Sequence, residues 1–285
     1  MSRLFCFGLG DTACAWATAL QRRGWSIGGT VRSAAKREAM AVHGWDAVEL
    51  RRDAPLPKGA LDGVTHALIS IPPDEQGDVV LDTCAALLQS PTLEWIGYLS
   101  STGVYGDHGG AWVDEDAPLN PAGSARGQRR QDAEARWRAL PPALPVHVFR
   151  LAGLYGPGRN ALLSARAGRA RRLDKPGLVF SRVHTADVLQ VLDASVARPR
   201  PGAVYNVADR EPAPSHEVTR FACELLGIEP PPLEPYDPAR VSPALAGFYA
   251  DSKRVRAERI LSELGVALRY PTYREGLRAL LATLA

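Results

Sequence analysis

Short apolar segments alternate with helical patterns along the first two thirds of the 285-residue chain. The helical patterns lie at residues 13–24, 34–44 and 79–89. The apolar segments predict strands, at residues 3–8, 25–32, 65–73, 94–101 and 145–156. Strands joined through helices of this length require right-handed crossover connections, which produce a parallel sheet. The alternation therefore predicts an α/β fold with a doubly wound parallel sheet.

The alternation weakens beyond residue 157. Thr185 and Asp187 are suited to the start of a helix within residues 182–197, and residues 203–209 predict one more strand. Residues 215–227 predict a helix, and residues 228–238 form a proline-rich connection. Two further helical patterns follow and end at Ala285. This part of the chain suits a small C-terminal lobe attached to the sheet.

Composition excludes several classes of protein. The formal net charge of +3 is small for this length, so we expect neither a nucleic acid nor a membrane surface as a partner. The four cysteines are widely spaced, which predicts reduced thiols and no metal site. The first residues lack the long apolar core of a signal peptide, and no segment is long and apolar enough to span a membrane. We expect a cytoplasmic protein.

The first predicted strand runs into a glycine turn, "FGLGDTA", that opens a helix. Gly8, Gly10 and Ala13 have the spacing G-x-G-x-x-A, with Asp11 and Thr12 in the first helical turn. This motif allows a tight turn, close approach of a pyrophosphate and helix–strand packing, while the helix N-terminus attracts the phosphates. It predicts a Rossmann-type dinucleotide site. The alternative is a glycine turn that serves packing alone.

The end of the second predicted strand indicates which dinucleotide is bound. An acidic residue there would hold the ribose 2′-hydroxyl of NAD, but the chain has Arg32 and Ser33, which suit the 2′-phosphate of NADP. We expect NADP as the cofactor, with NAD possible, and a solvated cation is the alternative role for Arg32. Ile71 and Pro72, at the end of the third predicted strand, are assigned to the same site.

Several further segments, besides the glycine turn, carry a family resemblance. They are "LSSTGVYG" (99–106), "FRLAGLYGPGRN" (149–160), "RVHTADV" (182–188), "VYNVADREPAP" (204–214) and "LRYPTYREGL" (268–277). With these segments the chain resembles the extended short-chain dehydrogenase/reductases, and within them an atypical, poorly characterised bacterial branch of the NAD-dependent epimerase/dehydratase family. The resemblance implies a Rossmann-type sheet with a small C-terminal substrate lobe.

The resemblance assigns candidate catalytic residues to the first of these segments. Ser101 matches the family's hydroxyl residue that polarises the substrate, and Thr102 could substitute or assist. Tyr105 is a candidate for the proton donor, although in the family this tyrosine is more often structural. The alternative for Ser101 is a serine at a strand end that bonds only to the backbone.

The family's Y-x-x-x-K element is altered in this chain. Arg126 stands at the tyrosine position and Arg130 at the lysine position. Because arginine does not lose its proton at working pH, Arg126 cannot replace a catalytic tyrosine, and we assign it to substrate binding. Arg130 can still donate hydrogen bonds to a cofactor ribose or phosphate. The alternative is a solvated basic helix face, on which Glu134 would form weak surface ion pairs with Arg130 and Arg138.

A basic segment at residues 158–172 borders the substrate lobe in relatives. Its Arg159 and Asn160 are assigned to substrate binding, because planar guanidinium groups suit an anionic substrate; the charge could equally face solvent. His184 and Asp187 are interpreted as structural residues that stabilise a loop and a helix start.

These patterns predict two domains. Residues 1–160 with 180–210 would bind the dinucleotide, and residues 161–179 with 211–285 would form the smaller substrate-binding lobe. The first hypothesis is an oxidoreductase or isomerase acting on a small anionic hydroxyl or carbonyl substrate, such as a nucleotide sugar. The alternative is a non-catalytic dinucleotide-binding protein that regulates in response to redox state. Relatives commonly pair through helices, so a homodimer is the expected assembly.

Overall fold

A computed structural model describes residues 2–54, 56–84, 88, 90–120 and 123–284. The strands of the chain are β1 (Arg3–Phe7), β2 (Ser26–Val31), β3 (Asp46–Glu49), β4 (His66–Ile69), β5 (Trp95–Ser101), β6 (Trp112–Val113), β7 (Val146–Leu151), β8 (Gly153–Tyr155), β9 (Arg172–Asp174), β10 (Arg182–His184), β11 (Val204–Val207), β12 (Leu233–Pro235) and β13 (Arg254–Val255). Within this described part of the chain, no helix is both long and apolar enough to cross a membrane.

Helices follow most of the sheet strands. They are α1 (Asp11–Gln21), α2 (Ala34–Ala41), α3 (Val79–Cys84), α4 (Ala125–Arg138), α5 (Ala161–Arg166), α6 (Thr185–Ala197), α7 (Ser215–Leu226), α8 (Pro243–Phe248), α9 (Glu258–Ser262) and α10 (Tyr273–Leu281). The helix predicted at residues 79–89 begins as expected and is described as far as Cys84; residues 85–87 and 89 of that prediction lie outside the described residues.

The central sheet has seven strands in the order β11-β7-β5-β4-β1-β2-β3. Adjacent pairs from β3 across to β5 are parallel, with Phe5 opposite Gly28 on one side and Ala67 on the other. The chain moves outward in one direction from β1 to β3 and then returns to the other side of β1 with β4. The α/β fold and the parallel doubly wound sheet are confirmed, and the direction of winding changes between β1 and β4.

The structure contains every strand that the sequence predicted, and several short strands that it did not predict. The edge strand β3 was not predicted, because its sequence, Asp-Ala-Val-Glu, is short, polar at both ends and only half buried. The segment predicted as one strand at residues 145–156 divides into β7 and β8 at Ala152. The proline-rich connection contains β12, which pairs with β9 outside the central sheet.

The chain forms two compact units. Unit 1 comprises residues 1–101, 129–149 and 195–204, and unit 2 comprises residues 102–128, 150–194 and 205–285. The domain roles assigned from the sequence stay a prediction, because this division concerns packing and not ligand binding.

Unit 1 has a hydrophobic core on each face of the sheet. On one face Trp137 of α4 stacks on Tyr98 of β5, with ring centroids 5.6 Å apart. On the other face Trp95 of β5 packs against Trp16 of α1 at 5.5 Å, and its indole nitrogen donates to the Ser195 hydroxyl at 3.0 Å. Because side chains alternate between the two faces of a strand, Trp95 and Tyr98 of β5 pack in the cores on opposite faces of the sheet.

Unit 2 has its own core, where α5, α7 and α10 pack around Tyr155. Gly276 of α10 lies directly against this tyrosine. A β-carbon added at Gly276 would overlap the Tyr155 hydroxyl and come within 2.7 Å of Cζ of the ring. The tyrosine ring therefore occupies the space that a side chain at position 276 would need.

We expect Gly276→Ala to destabilise unit 2 by about 1–3 kcal/mol, the usual cost of forcing extra volume into a packed core. Gly247→Ala is the matched control, because Gly247 is also helical and a β-carbon there meets nothing within 4 Å. The control should be neutral or stabilising by up to about 1 kcal/mol, since alanine is the better helix former. Urea denaturation of both variants measures the difference; equal effects would contradict the close contact.

Candidate functional site

The glycine turn after β1 is held between the two neighbouring strands. Gly8 has a φ of +97°, and a β-carbon there would lie 2.8 Å from Cγ1 of Ile71 and 2.9 Å from Oγ of Ser70. The Gly8 amide donates to the Thr30 hydroxyl at 2.8 Å, and the Ser70 hydroxyl donates to the Gly8 carbonyl at 2.6 Å. Only glycine fits here without strain, because both the backbone conformation and the space exclude a side chain.

The second glycine of the motif faces open space. Gly10 is the N-cap of α1 with a φ of −86°, no side chain caps the helix there, and a β-carbon would meet no atom within 4 Å. Ala13 is buried against the sheet, Asp11 is exposed and Thr12 is half buried. The first amides of α1 therefore lack a side-chain cap, and the positive end of the helix dipole lies at this helix start. This arrangement fits a pyrophosphate.

A free cation lies at the end of β2. Arg32 is exposed, and its guanidinium forms no hydrogen bond or ion pair with the residues that the structure describes. Ser33 follows it and caps α2, accepting from the Lys36 amide at 3.3 Å. The nearest acidic residue on the adjoining strand, Glu49, is ion-paired with Arg37 at 3.6 Å. The end of β2 therefore offers a cation and a hydroxyl.

The residues of the proposed cofactor site follow successive strands of one unit. The glycine turn follows β1, Arg32 and Ser33 follow β2, and Ile71 with the exposed Pro72 follows β4. Because the carboxyl ends of parallel strands meet at one edge of a sheet, these residues lie on the same edge, at the change in winding direction. Thr30 and Ser70, which hold the turn, were missed by the sequence analysis because both read as ordinary strand residues.

Ser101 is the last residue of β5 and is half buried. Its neighbour Ser100 points to the opposite face, where its hydroxyl donates to Oε2 of Glu134 at 2.8 Å. Glu134 is 1% exposed, so it does not lie on a solvated face of the helix, and its predicted ion pairs with Arg130 and Arg138 stay predictions. It shares the inward stripe of α4 with Ala133, next to a hydroxyl that only the fold brings near.

Arg130 also lies on the inner side of α4. It is 8% exposed, and its Nη1 donates to the Leu99 carbonyl of β5 at 2.8 Å. Its positive charge lowers the pKa of the Tyr98 phenol, while burial, the larger effect, raises that pKa to about 12. Arg130 is therefore a buried cation attached to the strand that ends in Ser101, and the solvated face considered as its alternative does not describe it.

The other candidates near this strand belong to unit 2. Tyr105 is fully buried; its hydroxyl donates to Oδ1 of Asn206 and accepts from Nη1 of Arg150, both at 2.8 Å. Burial raises the pKa of Tyr105 to about 12 despite the Arg150 cation. These contacts favour a structural tyrosine, so its catalytic role stays a prediction. Thr102 is half buried in the turn before it, and Arg126 is exposed in the first turn of α4.

Arg159 and Asn160 line a cavity of about 420 Å³ in unit 2. Asn160 caps α5, accepting from the Leu163 amide at 3.0 Å, whereas Arg159 is exposed. Arg182 also lines this cavity and was missed, because the sequence analysis placed it only at the start of a helical segment. Its guanidinium donates to the carbonyls of Phe180 and Ala213, both at 2.8 Å.

His184 and Asp187 occupy structural positions, as expected. Nδ1 of His184 accepts from the Ala186 amide at 3.1 Å, and burial lowers the pKa of this histidine to about 4. Asp187 accepts from the amides of Arg269 and Tyr270, so it attaches the start of α6 to a loop distant in sequence. Among the described residues, no group of three or more His, Cys, Asp and Glu side chains is arranged to hold a metal ion.

Comparison with known proteins agrees with the fold. No protein-family model matches the chain. The Escherichia coli K12 protein YeeZ is 29% identical over 95% of this chain and 97% of its own length. A functionally unknown conserved protein from Silicibacter pomeroyi DSS has a solved structure with a TM-score of 0.92 and 49% identity, covering 99% of both chains. The chain belongs to the same family as that protein.

More distant structures share the fold of this family. A dTDP-glucose 4,6-dehydratase from Bacillus anthracis, solved in complex with NAD, has a TM-score of 0.77 at 18% identity over 99% of this chain and 96% of its own. A human epimerase family protein, SDR39U1, solved with NADPH, has a TM-score of 0.76 at 18% identity over 99% of both chains. The Rossmann-type fold is thus one that epimerase and dehydratase proteins use with NAD and with NADPH.

Asp209 carries a testable electrostatic feature of unit 2. It is 2% exposed, and its Oδ2 has no hydrogen-bond partner among the described residues. Burial raises the pKa of Asp209 to about 8, although the Glu211 amide and the Arg182 cation oppose the shift. The unfolded chain releases this proton near pH 4, whereas the folded protein holds it until about pH 8. Its contribution to stability is therefore lost as pH rises between these values.

We expect Asp209→Asn to stabilise the protein at pH 8 by about 1 kcal/mol or more, because the amide never ionises and can still accept from the Glu211 amide. The gain should shrink as pH falls, because both states of the wild type hold the proton only below about pH 4. Urea midpoints of both proteins at pH 4.5 and pH 8 measure the difference. A gain independent of pH would contradict the raised pKa.

Proposed function

We propose that the chain is an NAD(P)-binding protein of the epimerase/dehydratase type. In this proposal it acts as an oxidoreductase or isomerase on a small anionic substrate with a hydroxyl or carbonyl group, such as a nucleotide sugar. The observation that carries the proposal is the uncapped start of α1 at Gly10, open to solvent and locked in place by the turn at Gly8. Such a helix start is a site for phosphate.

Each candidate in unit 1 has a distinct role in the proposal. A bound nicotinamide would supply hydride transfer. The amides at the start of α1 would bind the pyrophosphate, and Ile71 and Pro72 would border the cofactor from the end of β4. Ser101 would donate a hydrogen bond to the substrate oxygen, and Arg130, with donors beyond the one that Leu99 uses, would bind a ribose hydroxyl or phosphate oxygen. In unit 2, Thr102 would assist Ser101, and Arg126, Arg159 and Asn160 would bind the anionic substrate.

We propose NADP(H) as the preferred cofactor. The support is the unpaired guanidinium of Arg32 beside the Ser33 hydroxyl, at the strand end where a ribose 2′-substituent is recognised. Arginine suits a phosphate because its planar group donates two parallel hydrogen bonds. Glu49 is less available for a 2′-hydroxyl, because it is ion-paired with Arg37.

A second candidate is a non-catalytic dinucleotide-binding regulator. It is favoured by Arg126, an exposed arginine in place of the proton-transferring tyrosine, and by the engagement of the Tyr105 hydroxyl with Arg150 and Asn206. An oxidoreductase consumes NADPH with a carbonyl substrate and loses this turnover in Ser101→Ala, whereas a regulator binds the dinucleotide without turnover. A cytoplasmic location and a homodimer also stay predictions.

Gly10→Ala tests the dinucleotide site. The methyl group would enter the space that a pyrophosphate needs, so we expect affinity for NADPH and NADH to fall at least about tenfold. Folding stability should be nearly unchanged, because a φ of −86° suits alanine and no protein atom lies within 4 Å of the new carbon. Calorimetric titration measures affinity and thermal unfolding measures stability. Wild-type affinity in a folded variant would remove α1 from the site.

Arg32→Ala tests the preference for the phosphorylated cofactor. We expect affinity for NADPH to fall about tenfold or more while affinity for NADH stays within about twofold, because only NADPH carries the 2′-phosphate. Arg37→Ala is the matched control: it removes the same charge from the same region, but that charge is already paired with Glu49. Equal losses in the two variants would indicate general electrostatic attraction and contradict the assignment to Arg32.

A further inference from the structure

The cavity of about 420 Å³ in unit 2 has an unusual lining. Three of its residues are arginines, Arg159, Arg169 and Arg182, and none of its described lining residues is acidic. Hydroxyl and amide groups make up much of the rest, from Tyr155, Asn160, Ser164, Ser215, Thr219 and Tyr273. Its volume lies within the range of small-molecule sites. The cavity is therefore polar and cationic.

Two of these arginines have no counter-charge. Arg159 and Arg169 are exposed, and within the described part of the chain neither guanidinium has a hydrogen-bond or ion-pair partner. Unpaired arginines scattered over a surface are ordinary, but these two border one concave site. A ligand that enters the cavity meets both positive charges without having to displace a carboxylate.

The third arginine lies deeper. Arg182 donates to two backbone carbonyls and, at 3.3 Å, to the Ser215 hydroxyl, so its described partners are all neutral. Burial lowers the pKa of Arg182, which reflects the cost of holding its charge away from water. The acid that most opposes this lowering of the Arg182 pKa is Asp209. Its own raised pKa leaves Asp209 largely protonated near neutral pH. A desolvated cation without an anionic partner is costly, and an anion in the cavity would reduce that cost.

The start of a helix adds positive charge to the same cavity. α7 begins at Ser215 on the cavity wall, runs for 12 residues and has no side-chain cap at Pro214. Its dipole therefore places partial positive charge beside Arg182. Guanidinium groups, free helix amides and hydroxyls are together the donors that proteins use to bind phosphate oxygens.

We propose that this cavity binds a phosphate monoester of a hydroxylated small molecule, with the phosphate held between Arg159, Arg169 and Arg182. The hydroxyl and amide groups of the lining bind the polar remainder of the ligand, which the volume accommodates and a free phosphate would leave unfilled. The site lies within unit 2 and uses none of the residues proposed for the dinucleotide. Because Arg159 and Asn160 are also proposed to bind the anionic substrate, the inference rests on that part of the proposed function and names the chemical class of the substrate.

Neighbouring arginines in the same segment provide a control. Arg166 donates to the Leu284 carbonyl at 3.3 Å, and Arg171 pairs with Glu234 at 2.9 Å; neither lines the cavity. The double variants R159A/R169A and R166A/R171A lose the same formal charge from the same stretch of chain. Only the first pair removes donors from the cavity. Arg182 is left intact, because it also holds the backbone at Phe180 and Ala213.

The experiment is a calorimetric titration of the full-length protein with glucose 1-phosphate and with inorganic phosphate at low ionic strength. We expect glucose 1-phosphate to bind the wild type more tightly than inorganic phosphate does. R159A/R169A should weaken binding at least about tenfold, and R166A/R171A by less than about twofold. Thermal unfolding verifies that both variants are folded. Arg32→Ala, tested in parallel, should bind glucose 1-phosphate as the wild type does.

Four outcomes would overturn the proposal. They are no binding of either probe by the wild type, equal losses in the two double variants, tighter binding of inorganic phosphate than of the monoester, and loss of binding in Arg32→Ala. The last would mean that the probe occupies the proposed cofactor site instead. Because NADPH affinity is measured separately, a failure of this proposal leaves the proposed dinucleotide function intact, and the converse also holds.

Discussion

The hydrogen bonds that lock the turn at Gly8 are the constraint on which the proposed site depends. In the sheet β1 lies between β4 and β2, so its carboxyl end has a neighbouring strand on each side. The Thr30 and Ser70 hydroxyls form hydrogen bonds with the turn from those two sides. The position of this turn also sets where α1 begins, and no side chain caps its first amides. The proposed dinucleotide site depends on the parallel strand order, because that order brings these three strand ends together.

Helix α4 illustrates how a polar stretch can supply a packed face. Most of its residues are polar, yet one side of the helix is buried. The polar groups on that side form hydrogen bonds with β5 and with the start of α3. Trp137 donates to the Asp78 carboxylate at 2.8 Å, while Asp78 also caps α3. Buried polar groups of this kind are tolerated because each has a partner. The Arg130 guanidinium is held at β5 by the same principle.

The arginines of this chain differ in their surroundings more than in their spacing. Arg136 and Arg52 share Asp82 as a partner, each at 2.7 Å, and Arg171 has Glu234. Arg32, at the end of β2, has none among the described residues, and neither have Arg159 and Arg169, which line the cavity of unit 2. Since a paired guanidinium gains little from a further anion, the unpaired ones are the candidates for binding ligands.

The sequence by itself determined the order of strands and helices, the glycine turn and the residues at the ends of the first strands, because these depend on local periodicity and on backbone geometry near each residue. It could not determine that Glu134 lies on the buried side of α4, because the Ser100 hydroxyl that donates to Glu134 lies 34 positions away. The short strand β3 was also beyond it. Only the tertiary structure decided which arginines lack a counter-charge, because ion pairing depends on residues that are distant along the chain and adjacent in space.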